Sequence, residues 1–309
     1  MNSAPREAPA SLSVIVSGAS GLIGSALVAR LVSRGHTVRR LVRSTRNAQS
    51  ADIPWDPGRD FLDAHALDGC DAIVHLAGAP IAQRWTSAHK REILESRVQS
   101  TSLLARAVSE MDVKPSVVLS GSAIGYYGDR GGELLDEAGT PGSDFLSSVV
   151  QKWEGAAAPI AAAGVRLVTL RTGVVLSRRG GALAKMLLPF RLGAGGPIGS
   201  GRQWMSWISL DDHLRAMEHL LSADAVRGPV NLVAPDPVVN ETFASTLGRV
   251  LSRPSLLPLP AFALELAFGE MARATLLASQ RVMPGVLNDS GFTFEFPTLE
   301  QALRHELHS

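Results

Sequence analysis

The first half of the chain alternates short apolar runs with amphipathic stretches. Strand-like runs read LSVIVSG, HTVRRLV, DAIVHLA, PSVVLSG and VRLVTLR. Helical spacing separates them, most clearly over 22–33, 85–110 and 143–163. Apolar strands that alternate with helices indicate a parallel sheet covered on both faces. The pattern therefore predicts an α/β fold built on a doubly wound parallel sheet.

The pattern changes after about residue 178. Residues 177–207 are rich in glycine and poorly periodic, which is typical of loops that contact a substrate. A short strand, PVNLV, then returns towards the main sheet, so the smaller, mainly helical C-terminal lobe is not contiguous. Helices are predicted over 211–221, near 240–251 and over 261–279. The predicted units are a flexible tail at 1–11, a first domain at 12–178 with a returning strand near 229–233, and a C-terminal lobe at 179–309.

Composition narrows the class of protein. With 309 residues, 45% of them hydrophobic, the chain can fill a large core. A formal charge of +1 disfavours nucleic acid and anionic membranes as partners, and no apolar run reaches the ~20 residues of a membrane helix. The single cysteine, the lack of a signal-like N-terminus and the absence of paired histidine spacing favour a cytoplasmic protein without a disulfide or a metal site.

A glycine-rich loop follows the first strand and opens the first helix. Gly18, Gly21 and Gly24 in SGASGLIGSAL have the spacing G-x-x-G-x-x-G. Gly18 allows a tight turn, Gly21 lets the backbone approach a pyrophosphate, and Gly24 lets the helix pack on the sheet. The helix N-terminus then offers N–H groups to phosphate oxygens. This context predicts a dinucleotide site, with a structural glycine turn as the alternative. The predicted contacts are Gly18, Ser20, Gly21, Leu22, Ile23 and Gly24.

The end of the second strand indicates which dinucleotide is bound. A site for NAD usually places an acidic residue there to hold the ribose hydroxyls. This strand instead ends in Val42, Arg43 and Ser44. A guanidinium at Arg43, with the Ser44 hydroxyl as a second donor, suits the extra 2′-phosphate of NADP(H). NADP(H) is therefore the predicted cofactor, whereas Arg39 and Arg40 are interpreted as a solvated edge.

Motifs along nearly the whole chain resemble the extended short-chain dehydrogenase/reductase superfamily. The narrower similarity is to its atypical "epimerase family" subgroup of YfcH-like bacterial proteins, through LAGAPI, SRVQST, SAIGYYG, KWE, GSGRQWMSWISLDD, LASQRVMPGVL and GFTFEFPTLEQAL. The resemblance implies an NADP-binding domain and a small-molecule substrate, in a monomer or a homodimer. It also implies further cofactor contacts at Leu76, Ala77, Gly78, Ser120, Lys152 and Arg171.

The superfamily's usual catalyst is a Ser-Tyr-Lys set, and this chain departs from it. Tyrosine and lysine must stand at i and i+4 on one helix face. The only tyrosines, Tyr126 and Tyr127, are followed four residues later by Arg130 and Gly131. In the helix SDFLSSVVQKWEG, Lys152 is preceded at that spacing by Ser148, whose hydroxyl is a far weaker acid than a phenol. The sequence therefore does not predict carbonyl reduction by the usual route.

Three residues remain as candidates for the catalytic cleft. Ser122 aligns with the substrate-orienting serine, or else caps its own turn. Tyr127 either walls the pocket, which is favoured, or acts as an acid/base. Lys152 holds ribose hydroxyls, or is an exposed helix lysine. Two hypotheses follow: an NADP(H)-dependent oxidoreductase or epimerase with a non-standard acid/base, and a catalytically quiet NADP(H)-binding sensor or scaffold. The subgroup has been linked both to nucleotide-sugar epimerases and to cell division.

Overall fold

The computed structural model describes residues 11–43 and 50–308. Within those ranges the strands are β1 (Ser13–Ser17), β2 (Thr37–Val42), β3 (Ile53–Asp56), β4 (Phe61–Leu62), β5 (Ala72–His75), β6 (Val117–Ala123), β7 (Leu134–Leu135), β8 (Arg166–Thr172), β9 (Val174–Leu176), β10 (Trp204–Met205), β11 (Trp207–Ser209), β12 (Gly228–Leu232), β13 (Val238–Val239) and β14 (Arg281–Val282).

The α-helices of the same ranges alternate with these strands through the first half of the chain. They are α1 (Leu22–Ser33), α2 (Ser87–Glu110), α3 (Phe145–Ala162), α4 (Gly181–Arg191), α5 (Leu210–Ser222), α6 (Asn240–Leu251), α7 (Ala261–Phe268), α8 (Gly285–Asp289) and α9 (Leu299–His308). Polar side chains fix several starts. Thr86 accepts a hydrogen bond from the backbone of His89, and Ser209 accepts one from that of Asp212, so each satisfies a free N–H of its helix.

One large sheet organises the described residues, with strand order β12-β8-β6-β5-β1-β2-β3-β4. Every pairing in it is parallel except that of β3 with β4. The chain proceeds from β1 to β2 in one direction and later from β5 to β6 in the other, so the order reverses beside β1. Ligands of open α/β sheets bind at the carboxyl ends of strands at such a point. The predicted doubly wound α/β fold is confirmed.

Both faces of the sheet are buried because successive side chains of its strands point to opposite sides. Val14 and Val16 of β1 join one core with Leu27 of α1 and residues of α5. Ile15, between them, joins a second core with Leu104 of α2 and residues of α3. Continuous apolar strands are what this two-sided burial requires.

The C-terminal part has its own core. Trp207, Phe243, Leu247 and Leu303 are buried together, where α6 and α9 pack beside β9 and β11. β12 returns to the main sheet and pairs in parallel with β8. The single helix predicted over 261–279 is wrong. It ends at Phe268 because Gly269 has a φ of +61°, and a short π-helical turn follows at Ala272–Leu276.

Among the described residues, no helix combines the length and the apolar character that crossing a bilayer would require.

We predict that Gly24→Ala destabilises the protein. A methyl group on Gly24 would lie 2.2 Å from the backbone oxygen of Gly18, so the turn or the helix must shift, at a cost of about 1–3 kcal/mol. Gly155→Ala is the matched control, since Gly155 is also helical and has nothing within 4 Å of that position. Urea unfolding should show a loss in the first variant and none in the second; equal stability of the two variants would contradict the prediction.

Candidate active site

The glycine-rich loop between β1 and α1 packs closely against neighbouring backbone, and this leaves no room for a side chain at Gly18. Gly18 has a φ of +68°, and a methyl group there would lie 2.7 Å from the carbonyl carbon of Leu76. No side chain caps α1 at Gly21, and its first turn carries no acidic residue. Ser20 and Gly21 are exposed. The helix therefore presents open N–H groups, which suit the diphosphate of a dinucleotide.

The segment that follows β5 lies against this loop. The Leu76 amide donates to Ser17 Oγ at 3.0 Å. A methyl group added to Gly18 would lie 3.0 Å from the backbone nitrogen of Ala77. A methyl group on Gly78 would lie 3.2 Å from the Arg97 guanidinium carbon. The predicted cofactor contacts at Leu76, Ala77 and Gly78 are thus placed beside the glycine loop at the reversal point of the sheet.

His75 ends β5 in a buried hydrogen-bond network. Its Nδ1 lies 2.7 Å from Ser17 Oγ and its Nε2 lies 3.0 Å from Thr101 Oγ1, which also accepts from Trp153 Nε1 at 3.0 Å. Burial lowers the pKa of His75 to about 4. The ring is therefore neutral near pH 7 and links β1, β5, α2 and α3.

The second strand places its three arginines differently. Arg39 donates to the carbonyl oxygens of Ala66, Leu67 and Asp68, and Arg40 Nε donates to Asp52 at 2.7 Å. These side chains support the sheet edge. Arg43 is exposed, and within the described ranges its guanidinium has no recorded partner. Ser44 lies outside the described residues.

A carboxylate on α3 joins the carboxyl ends of β6 and β8. Ser122 Oγ donates to Glu154 Oε1 at 2.6 Å, while Arg171 donates from Nε and Nη2 to the two carboxylate oxygens at 2.9 Å each. The side chains of Arg171 and Glu154 are only 4% and 16% exposed. Because Glu154 engages the Ser122 proton, Ser122 Oγ offers lone pairs to a ligand. Ser120, two residues earlier, is buried and its hydroxyl has no hydrogen-bond partner among the described residues.

Tyr127 is fully buried behind this pair. Its hydroxyl donates to Asn231 Oδ1 at 2.8 Å and accepts from Arg171 Nη1 at 3.1 Å. Burial raises the pKa of Tyr127, against the effect of the neighbouring Arg171. Tyr126 is half-buried, with its ring centre 3.5 Å from the guanidinium carbon of Arg171. Both tyrosines thus contact Arg171, and the hydroxyl of Tyr127 is already engaged.

Helix α3 separates the predicted Ser148–Lys152 pair from the strand ends. A methyl group on Gly125, just after β6, would lie 3.5 Å from Leu146 Cβ and 4.0 Å from Val150 Cγ2. At 3.6 residues per turn, Ser148 and Lys152 are rotated by about 200° and 240° from Leu146. Lys152 is exposed and Ser148 half-buried. The structure brings together Ser122, Tyr127 and Arg171, and it does not bring Lys152 to them.

Sequence reasoning missed three polar residues of this region. Glu154 and Asn231 complete the network of Ser122 and Arg171, and Arg97 lies beside Gly78. Glu154 stands in the motif KWE, and its place in that motif was an available signal. Asn231 and Arg97 come from a distant strand and from another helix. Arg97 stands in the motif SRVQST, but the motif does not indicate what Arg97 contacts, because the contacts of both residues depend on tertiary packing.

Comparisons with known proteins agree with this architecture. A family described as the NAD dependent epimerase/dehydratase family matches residues 14–233, and a domain described as of unknown function (DUF1731) matches residues 259–306. An epimerase family protein of Mycobacterium bovis is 43% identical over 291 residues, which cover 94% of this chain and 96% of that protein. The chain belongs to the NAD dependent epimerase/dehydratase family, and the resemblance seen in the sequence is confirmed.

Two solved structures at similar identity share the fold. Human epimerase family protein SDR39U1 (isoform 2), crystallised with NADPH, has a TM-score of 0.89 at 38% identity, covering 96% of this chain and 99% of that one. A nucleoside-diphosphate sugar epimerase from Corynebacterium glutamicum has a TM-score of 0.78 at 39% identity, covering 96% of this chain and 58% of that one.

The buried histidines predict a pH dependence of stability. Burial lowers the pKa of both His75 and His213 to about 4, whereas an unfolded histidine titrates near 6.5. Between these values the unfolded state binds more protons, so stability is full above about pH 6.5 and falls as the pH drops towards 4.

At pH 5 we expect each ring to lower the free energy of unfolding by about 2 kcal/mol relative to pH 7. Urea unfolding at the two pH values should show a smaller loss for His75→Gln than for the wild type. The same substitution at exposed His65 is the control. If the His75→Gln variant lost as much stability between pH 7 and pH 5 as the wild type, this assignment would be refuted.

Proposed function

We propose that the protein binds NADP(H), with the diphosphate on the N-terminus of α1 and the 2′-phosphate at Arg43. The single observation that carries this proposal is the start of α1 at Gly21, where no side chain caps the helix. The loop before it packs so closely on the segment after β5 that Gly18 leaves no room for a side chain. Arg43, exposed just after β2 and without a partner among the described residues, supports the choice of NADP(H) over NAD(H). The NADPH in the structure of the human relative supports it as well.

Calorimetry tests the cofactor directly. NADPH should bind with a much lower Kd than NADH. Arg43→Ala should raise the Kd for NADPH by about tenfold or more, because a charge-assisted hydrogen bond is lost. The Kd for NADH should stay unchanged. Arg59→Ala, at a side chain that is 86% exposed, controls for the change in net charge. A protein that preferred NADH, or that bound neither nucleotide, would refute the proposal.

We further propose that the protein is an oxidoreductase or epimerase-like enzyme that acts on a small polar substrate with a hydroxyl or carbonyl group. The nicotinamide, when bound, supplies or accepts a hydride. Ser122 Oγ, with its proton held by Glu154, is suited to accept a hydrogen bond from a substrate hydroxyl. A proton leaving that hydroxyl passes to Ser122 Oγ as the serine proton passes to Glu154. In this scheme Tyr127 supports Arg171 and takes no part in proton transfer.

A second candidate function is a catalytically quiet NADP(H) sensor or scaffold. The observation that favours it is the apolar face of α3: Leu146 and Val150 have the i, i+4 spacing of the usual tyrosine and lysine, and both face the segment after β6. No phenol or ammonium is available there. Under this hypothesis the cofactor site is intact and the reaction is absent.

Turnover separates the two candidates. NADPH oxidation should be measured against a panel of sugars, quinones and aldehydes, and the sugars should be analysed for a change of configuration, because an epimerase leaves no net change in the cofactor. The enzyme hypothesis predicts turnover with at least one of them, which Ser122→Ala reduces by about 100-fold, in the range of a general acid–base contribution, while Tyr127→Phe retains most of it. Ser102→Ala, at an exposed serine of α2, is the control. No turnover with any compound, together with tight NADPH binding, would favour the sensor.

A further inference from the structure

Large apolar side chains are concentrated on one part of the surface of the C-terminal lobe. They come from the end of α4, from the segment 254–260 and from α7. Among the described residues, six side chains there are between 59% and 82% exposed: Leu188, Leu192, Leu256, Leu257, Phe262 and Leu266. Single exposed apolar side chains are common on soluble proteins, whereas a contiguous group marks a surface that another molecule covers. We call these six residues the apolar patch.

Backbone contacts hold the parts of the apolar patch together. The backbone nitrogen of Leu257 donates to the Gly195 oxygen at 3.2 Å, just beyond the end of α4. Arg253 Nε donates to the Arg191 carbonyl oxygen at 3.0 Å, which joins the same segment to the last turn of α4. α7 follows this segment directly, and its two residues of the patch stand at i and i+4, on one side of the helix. The patch is therefore continuous.

Four exposed cations border the apolar patch: Arg84, Lys185, Arg191 and Arg253. Arg84 donates to the Leu266 carbonyl oxygen at 2.7 Å, and Lys185 stands about one helical turn before Leu188. The other two join α4 to the segment before α7. Within the described ranges, no carboxylate forms an ion pair with any of the four. Their charges are therefore not neutralised by the protein itself.

Acidic residues are scarce in the same parts of the chain. Residues 155–210, which include α4, contain no aspartate or glutamate. The two carboxylates in and next to α7 are neutralised, because Glu265 is paired with Arg273 and Glu270 with Lys90. The formal charge of +1, from which the sequence disfavours anionic membranes, is a sum over the whole chain and does not reveal this local excess. The apolar patch is thus bordered by uncompensated positive charge.

This charge decides between the molecules that could cover the patch. A second copy of the chain, related by two-fold symmetry, would bring the same cations together, and that juxtaposition costs free energy. A protein partner takes its anchoring side chains into well-packed pockets, whereas the side chains of this patch project into solvent. An anionic lipid surface suits both features. Its acyl region accepts the apolar side chains, and its headgroups attract lysine and arginine.

We propose that the apolar patch binds to the surface of a membrane that contains anionic lipids. The side chains of Leu256, Phe262 and Leu266 enter the boundary between headgroups and acyl chains, while the four cations contact lipid phosphates. With eight residues, α7 is too short to cross a bilayer and lies along its surface. The proposal goes beyond the proposed function and does not depend on it, because none of these residues belongs to the NADP(H) site.

Flotation with lipid vesicles tests the proposal on the full chain. One set of vesicles contains phosphatidylcholine alone, and the other contains equal parts of phosphatidylcholine and phosphatidylglycerol. The protein should float with the mixed vesicles and stay in the buffer with phosphatidylcholine alone. Raising the salt concentration to about 1 M should weaken the binding, because the Debye length falls to about 3 Å.

Two double variants change the patch by different routes. Phe262→Ser with Leu266→Ser should weaken binding to the mixed vesicles by about tenfold or more, because two apolar side chains no longer enter the bilayer. Arg191→Gln with Arg253→Gln should weaken it by about 25-fold, which is a factor of about five for each cation. All four side chains are exposed, so both variants should have the Tm of the wild type.

Matched controls carry the same kinds of change near the amino ends of β2, β6 and β12. Val32→Ser with Val113→Ser removes two apolar side chains that are 56% and 63% exposed. Arg34→Gln with Arg227→Gln removes two exposed cations that have no ion pair among the described residues. Each control should bind the mixed vesicles as the wild type does.

The proposal is overturned if the wild type does not float with the mixed vesicles, or if it binds both kinds of vesicle equally. It is also overturned if the two patch variants bind within twofold of the wild type, or if the controls lose as much binding as they do. Sedimentation equilibrium without vesicles adds a last comparison. A wild-type dimer that Phe262→Ser with Leu266→Ser converts to a monomer would show that a second copy covers the patch. A monomer that binds no vesicle would leave the patch to a protein partner, and either result contradicts the proposal.

Discussion

An ion pair between Glu154 and Arg171, whose side chains are only 16% and 4% exposed, holds the carboxyl ends of β6 and β8 together. It joins α3 to β8, and through Ser122 and Tyr127 it reaches β6 and the segment after it. Removing these two charges from water is costly. The pair is stable because both guanidinium–carboxylate hydrogen bonds form and because the neighbouring hydroxyls bond to the remaining donor and acceptor atoms. The orientation of each polar group at this edge follows from that requirement.

This constraint also decides what the tyrosines do. A phenol serves as an acid only when its hydroxyl reaches the reacting atom with an adjustable proton. The hydroxyl of Tyr127 is instead buried between Asn231 and Arg171, and burial raises its pKa. The chain therefore combines a glycine-rich loop, fixed by close backbone contacts, with a polar network in which the hydroxyl of Tyr127 is buried. These two features depend on different residues.

The glycine-rich loop and the polar network at the carboxyl ends of β6 and β8 differ in how far local sequence defines them. The G-x-x-G-x-x-G spacing after an apolar strand identified the turn, because steric exclusion at Gly18 and Gly24 acts between residues close in the chain or across one strand pair. The polar network depends on contacts between distant segments, such as that of Tyr127 with Asn231. The sequence shows the spacing of Ser148 and Lys152. It does not show how α3 is rotated about its axis, and that rotation turns Leu146 and Val150 towards β6.

The sequence by itself determined the alternation of strands and helices, the parallel two-sided sheet, the glycine-rich turn and the arginine at the end of β2, since each follows from periodicity, from a local backbone requirement or from the residues themselves. It also indicated the family. Only the tertiary structure decided which polar side chains meet: that Glu154 pairs with Arg171, that Lys152 faces outward, and that Arg97 lies beside Gly78. Those contacts are set by how helices dock on the sheet, and docking depends on the packing of the whole core.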